Sequence, residues 1–264
     1  DGATIVVAAK WDDDAGDKSG SAYVFRSSDG WDGGTTYDQV AKLTAADGAA
    51  NDAFGGSVAI DGDTIVVGAN GDDDGGSNSG SVYVFEKSTW GTYDQVAKLT
   101  ASDAAEDDYF GRDVAIDGDT VSISGGGSVY ILHTTDGGGT WSQVAKLVAN
   151  DGVYINRPAI SGDVVVAGAL SDNNDRGSAY VFRTTDGGAS YGQVTKLRAD
   201  NGALRPYFGY SVAISGDVVV AGASGDNNRG AAYVFRTTDG GATYGQVARL
   251  TASDAARDDK FGIS

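Results

Sequence analysis

Cysteine and methionine do not occur in the 264 residues, histidine occurs once, proline twice, and glutamate stands only at Glu86 and Glu106. Without Cys there is neither a disulfide frame nor a thiolate metal site, and the redox compartment stays open. Without Met the chain lacks an initiator of its own and reads as a processed product or an excerpt of a longer one. No apolar run approaches the roughly 18 residues that a spanning helix needs, so direct membrane insertion is not expected. The single His133 leaves no His-based triad, and G-x-S-x-G and phosphate-loop patterns are missing. Cationic residues are scarce as well: 19 Lys and Arg face 37 Asp and Glu, a formal net charge of −18. Such a chain repels nucleic acid and anionic lipid, and it favours a counter-cation as partner. What is plentiful is Gly, at 41 residues, about twice the usual share of about 7%. Together with many β-branched and aromatic residues this describes turn-rich β structure rather than disorder.

The sequence repeats itself. Phe54 to Phe85, FGGSVAIDGDTIVVGANGDDDGGSNSGSVYVF, is the clearest copy; FG returns at Phe110, Phe208 and Phe261, and AISGDVVVAGA and SVYVF-type runs return in phase. The Gln that opens each QVAKL-type run stands at 39, 95, 143, 193 and 246. Spacings near 50 residues belong to propellers and solenoids. Within one copy, Val58–Ile60, Thr64–Val67, Val82–Phe85 and Gln95–Leu99 are short β-branched or aromatic runs between Gly, Asp, Asn and Ser clusters, the signature of four strands. Asp61-Gly62-Asp63 suits a tight hairpin between the first two. The expectation is an all-β fold, a β-propeller of four-stranded antiparallel blades, with units at about 1–57, 58–113, 114–157, 158–211 and 212–264 in one domain of residues 1–264. The small pairs Gly68-Ala69, Gly168-Ala169 and Gly222-Ala223 would let blades approach closely. The third unit is degenerate, with Tyr154-Ile155 in the place of Phe-Gly. Lys42, Lys98, Lys146, Lys196 and Arg249 recur on the fourth strand, where a cation discourages edge pairing. Residues 1–7 align with 61–67, so Phe261–Ser264 is expected beside Thr4–Val7, closing a five-unit ring.

Oxygen-bearing side chains are spaced for a cation in one kind of loop. Between strands 2 and 3 of the second unit, Asn70, Asp72, Asp74 and Asn78 fall at loop positions 1, 3, 5 and 9. Alternating ligands in a Gly-containing loop can converge on calcium, which takes six to eight oxygens. Asp12 and Asp14 keep part of the pattern in the first unit. The competing reading is that Asp, Asn and Gly are turn-formers here.

The FG pairs at 54, 110, 208 and 261, the VGA or AGA ends of strand 2 and the GSVYVF-type third strands together resemble the FG-GAP family, the repeat of integrin α-subunit propellers and of many bacterial and algal surface proteins. The resemblance implies a propeller at the cell exterior. It also implies a seven-bladed parent as the alternative to a five-unit ring. The family's calcium loop between strands 1 and 2 is cut here to Asp-Gly-Asp or Ser-Gly-Asp, so that site is not carried over. A second pattern lies between strands 3 and 4: Thr134, Asp136, Gly138, Thr140 and Trp141 resemble the Asp-box turn of sialidase and sortilin-type propellers, as do the runs around Asp186 and Asp239.

In an up-and-down blade the 2–3 and 4–1 links share one end. This end collects the long loops, with Trp11, Tyr109, Arg176, Arg205, Tyr207 and Arg229 as aromatic or basic points. The expected function is a non-enzymatic module, extracellular or on the cell surface, for adhesion or for building a larger extracellular assembly. Its partner, a protein or a glycan, would dock on the loop end, and calcium would stabilise it. The alternatives are a carbohydrate-binding, lectin-like propeller and, further off, a glycosidase. A glycosidase would need two positioned carboxyls, one with a raised pKa, whereas these carboxylates sit in solvated loops.

Overall fold

The computed structural model describes residues 4–27, 36–199 and 206–264; Arg205, named above among the loop residues, falls outside them. Five antiparallel sheets follow one another along the chain, one per repeat. The first holds β1 (Thr4–Ala9), β2 (Ser21–Ser27) and β3 (Tyr37–Leu43). The second holds β4 (Phe54–Asp61), β5 (Thr64–Ala69), β6 (Ser81–Lys87) and β7 (Tyr93–Leu99). The third is built from β8 (Val114–Asp117), β9 (Thr120–Gly125), β10 (Ser128–His133) and β11 (Ser142–Leu147), and the fourth from β12 (Asn156–Ser161), β13 (Val164–Ala169), β14 (Ser178–Arg183) and β15 (Gly192–Leu197). The fifth holds β16 (Phe208–Ser215), β17 (Val218–Ala223), β18 (Ala231–Arg236) and β19 (Gly245–Leu250). Strand order within each sheet follows chain order, the meander of a propeller blade. The chain divides into two compact units, Asp1–Gly126 with Leu132–Gln143, and Gly127–Ile131 with Val144–Ser264.

Local sequence explains the blade. Asp61 pairs with Thr64 across a two-residue turn, and Gly62 takes the left-handed φ of 58° that the turn demands. The apolar runs β5 and β13 are central and buried along nearly their whole length, while β7, at the sheet edge, alternates between exposed and partly buried. The FG pair at Phe54 and Phe208 opens the first strand of its sheet. The Phe54 N–H donates to Ser19 O of the preceding blade at 3.0 Å, and its ring packs edge-on against Tyr83 and Phe85 of its own sheet, with centroids 5.5 and 6.0 Å away. In the second unit Phe208 repeats this arrangement with Tyr233 and Phe235. FG and YVF recur in phase in the sequence because one plugs against the other. The glycine of strand 2 is equally constrained: a Cβ on Gly68 would fall on the carbonyl oxygen of Gly111, and one on Gly222 on that of Gly262.

One expectation changes. In the degenerate unit Ile155 alone takes the Phe position: it is fully buried and its N–H donates to Gly127 O at 2.9 Å, whereas Tyr154 is 72% exposed. An apolar slot accepts the isobutyl-sized side chain and leaves the phenol outside. The described strands of the first sheet are β1, β2 and β3. Phe261 bridges Gly230 of the fifth blade, as Phe54 bridges Gly20 and Phe208 bridges Gly177.

Candidate cation site

The 2–3 loop of the second blade is drawn in by its own strands. The register of β6 against β7 places Tyr83 directly opposite Lys98, so both side chains leave one face of the sheet toward the loop. The Lys98 ammonium stands 5.3 Å from the centre of the Tyr83 ring. Asp72 is held beneath them: Ser81 Oγ donates to its Oδ1 at 3.0 Å, the Tyr83 hydroxyl lies 3.0 Å from its Oδ2, and the Asp74 N–H donates to Oδ1 at 3.1 Å. Asp47, from the link leaving the first blade, receives the same hydroxyl at 2.9 Å.

One carboxylate oxygen from each of Asp47, Asp72 and Asp74 lies within 4.8 Å of the others. Lys98 Nζ occupies the point where they converge, at 2.7 Å from Asp47, 2.9 Å from Asp72 and 2.5 Å from Asp74. Asp72 and Asp74 thus come together as the spacing implied, but Asn70 and Asn78 do not join them. Asn70 Oδ1 lies against Gly56. Asn78 turns to the next loop, where its Nδ2 donates to Asp107 Oδ1 at 3.1 Å. The residues present do not fit a resident calcium ion in this loop. Two of the four expected ligands face elsewhere, and an ammonium already takes the oxygens that six- to eightfold coordination would require.

The electrostatics agree with an internal cation. Burial would raise the Asp72 carboxyl, but the bonds from Lys98, the Asp74 N–H and Tyr83 outweigh it and hold the group below the ordinary carboxylate range. Burial would likewise lower the Lys98 ammonium, and Asp47, Asp74 and Asp72 raise it above its usual value instead.

The clasp recurs. In the first blade Asp12 accepts from Ser21 at 2.9 Å and from Tyr23 at 2.8 Å, and Lys42 contacts both Asp12, at 3.1 Å, and Asp14. In the fourth, Lys196 bridges Asp151 at 2.7 Å and Asp172 at 2.8 Å, with Tyr180 donating to Asp151 at 2.8 Å. In the fifth, Arg249 Nε donates to the fully buried Asp226 at 3.0 Å, beside Tyr233, whose hydroxyl is pushed up to about 12 by burial and by its bond to Asp226. In these four blades the strand-4 cation therefore serves the loop and is not a free guard of a sheet edge. The signal was in the sequence: Tyr at 23, 83, 180 and 233 keeps phase with the cations at 42, 98, 196 and 249.

The Asp-box turns close on themselves. Asp136 accepts the Thr140 N–H at 2.9 Å, the Thr140 hydroxyl at 2.7 Å and the Thr134 hydroxyl at 2.8 Å, and these bonds hold it down to about 2. Asp186 and Asp239 accept the equivalent N–H groups of Ser190 and Thr243, each at 2.9 Å. Each carboxylate is consumed within its own turn.

Residues 1–25, 37–85, 93–132, 141–182 and 191–235 match the family described as FG-GAP repeat. Among solved structures, a functionally unknown protein from Desulfotomaculum acetoxidans DSM 771 is similar at TM-score 0.63 and 12% identity, over 98% of this chain and 70% of that one. A candidate 6-phosphogluconolactonase from Bacteroides fragilis NCTC 9343 is similar at TM-score 0.51 and 10% identity, over 97% of this chain and 83% of that one. At such identities the likeness shows the fold alone. No curated protein matches the sequence.

Proposed function

Because the chain belongs to the FG-GAP repeat family, we propose that it is a non-catalytic binding module of the cell exterior or cell surface, used in adhesion or in an extracellular assembly, which engages its partner through the loop-bearing ends of its blades. The observation that carries this reading is the division of labour at those ends. The acids of the clasps are engaged by internal cations, while large side chains are left in solvent: Trp11 is 70% exposed, Tyr109 37% and Tyr207 36%. Aromatic residues of this kind anchor protein and glycan interfaces. No helix among the described residues is long and apolar enough to cross a membrane.

A hydrolase reading finds little support. Asp12, Asp47, Asp72 and Asp151 of the clasps and the three Asp-box carboxyls are held below the ordinary carboxylate range, unsuited to donating a proton. Asp52 is pushed upward by burial, but it accepts the Ala49 N–H at 2.7 Å within its own turn, as Asp108 does for Ala105 at 2.9 Å. A turn cap that recurs in the repeat is structural.

Retention of protein-coated beads in a flow cell tests the proposal, on surfaces of cell-wall polysaccharide, of matrix protein and of the protein itself. At least one surface should hold the beads. Trp11→Ala with Tyr109→Ala should release them, whereas Trp90→Ala, in the 3–4 turn at the other end of its blade, should not. No retention anywhere, or turnover of aryl glycosides by the unmodified protein, overturns the reading.

A further inference from the structure

The second unit contains a groove of about 460 Å³, bordered by the 2–3 loops of the fourth and fifth blades and by the residues flanking two FG pairs. Its volume falls within the roughly 300–1,000 Å³ of small-molecule sites. Tyr207 and Tyr210 line it, with Asp175, Asn228, Asp258 and Lys260. The backbone of this rim is common to the fold: Tyr207 and Lys260 adopt left-handed φ of 51° and 54°, but so do Ala53 and Tyr109 before their own FG pairs, at 55° and 51°. Side-chain identity sets the groove apart. The FG pairs stand in the contexts AFGG, YFGR, YFGY and KFGI, and only at 207–210 does an aromatic residue flank both sides.

Three features specify what could fill it. First, the Tyr210 ring is fixed in place by Arg157, whose guanidinium carbon lies 4.4 Å from the ring centre. Tyrosine rings offer an apolar face with a polar tip. Second, the Asp175 carboxylate, the Asn228 amide and the Lys260 ammonium have no hydrogen-bond or ion-pair partner among the described residues, unlike the Asp side chains of the clasps. A purely apolar ligand would leave them buried and unpaired, at a cost. Third, acids and bases are mixed at the groove, Asp175 and Asp258 standing with Lys260, with Arg157 behind the Tyr210 ring and with Arg257 at 3.8 Å from Asp258, so no single sign of charge dominates to select an anion or a cation.

A ligand with apolar C–H faces, many hydroxyls and no charge meets all three requirements. We propose that this groove binds a short stretch of neutral carbohydrate, one sugar face resting on Tyr207 or Tyr210 while its hydroxyls donate to Asp175 and Asp258 and accept from Asn228 and Lys260. This names a partner class for the binding module proposed above and rests on that reading. The two fail separately, because bead retention is tested with substitutions in the first unit and the groove with soluble sugars.

Saturation-transfer NMR and calorimetry with cellotetraose, chitotetraose and mannotetraose as neutral probes, trigalacturonate as the anionic one and tetraglycine as the peptide make the test. At least one neutral sugar should saturate below about 10 mM, with affinity at least about tenfold above that of trigalacturonate. Tyr207→Ala should weaken it about tenfold, Asn228→Ala should weaken it severalfold, and Tyr207→Phe should retain most of it because the ring face is kept. Tyr207 and Asn228 are exposed, so both variants should melt like the parent. The proposal is overturned if no neutral sugar saturates, if trigalacturonate or tetraglycine binds more tightly, or if Tyr207→Ala and Asn228→Ala both bind as the parent does.

Discussion

Lys98→Met removes the cation at the centre of the second blade's clasp while keeping most of the aliphatic stem that lies along Tyr83. The cost falls unevenly on the three carboxylates. The side chains of Asp47 and Asp74 are 50% and 62% exposed and return to water with little loss. Asp72 is 5% exposed and stays buried as an ion. Breaking a fully buried pair costs about 3–5 kcal/mol. Here Lys98 itself is 19% exposed and Asp72 keeps Ser81, Tyr83 and the Asp74 N–H as donors, which places the expected loss at about 2–3 kcal/mol. For a domain of this size that corresponds to a Tm lower by roughly 5–10 °C. The sign with pH follows from the direction of the Asp72 shift. Its folded pKa is depressed, so the contribution is present above the unfolded value of about 3.9 and is lost as pH falls below it. Calorimetric melting of parent and variant from pH 7 down to pH 3 should show a constant gap that narrows below about pH 4. The variant also leaves three carboxylates converged with nothing between them. Millimolar calcium should then raise its Tm, by up to about 2.7 kcal/mol of stability at a hundredfold excess over Kd, and leave the parent unchanged. Equal melting of parent and variant at neutral pH, or an equal calcium response in both, would refute the ammonium clasp.

Gly68→Ala should destabilise the first unit by about 3 kcal/mol or more, since the added methyl meets the Gly111 carbonyl and Ser57 Oγ with no room to move; urea unfolding with an unchanged midpoint would show that the blades do not pack this closely. Phe54→Ala should cost about 3–5 kcal/mol, because the ring is fully buried between neighbouring blades, whereas Tyr154→Ala, at 72% exposure, should leave the midpoint within about 0.5 kcal/mol. Asp136, Asp186 and Asp239 are each held down to about 2, so their contribution is complete above about pH 4 and disappears toward pH 2. Replacing all three with Asn should lower Tm by a few degrees at pH 6 and by progressively less as pH falls through about 2, and a gap as large at pH 2 as at pH 6 would contradict the turn geometry.

The repeat, the strands of the blades, the two-residue hairpin at Gly62 and the Asp-box turns were legible in the chain because each depends on residues close in sequence. A β-branched run makes a strand, a Gly at positive φ closes a hairpin, and an Asp accepts the N–H four residues on, whatever lies beyond. The same holds for the small residues at Gly68 and Gly222, whose lack of a side chain already implied close approach. The role of Lys98 was legible only as a recurring phase with Tyr83, not as a contact. Read alone, a Lys on an outer strand is a solvated charge; it becomes the centre of a clasp only once the β6–β7 register puts it opposite Tyr83 and the preceding blade delivers Asp47, 51 residues earlier in the chain. Asn70 and Asn78 failed as ligands for the same reason: loop spacing limits which atoms can converge, but the strands that anchor the loop decide which way each side chain leaves it. The YFGY run at 207–210 stood in the sequence as well, yet it borders a groove only because Asp175, Asn228 and Lys260 are brought to it by three separate loops. Local chemistry, in short range, wrote the blade; the cation that holds its loop and the groove at its end exist only where distant segments meet.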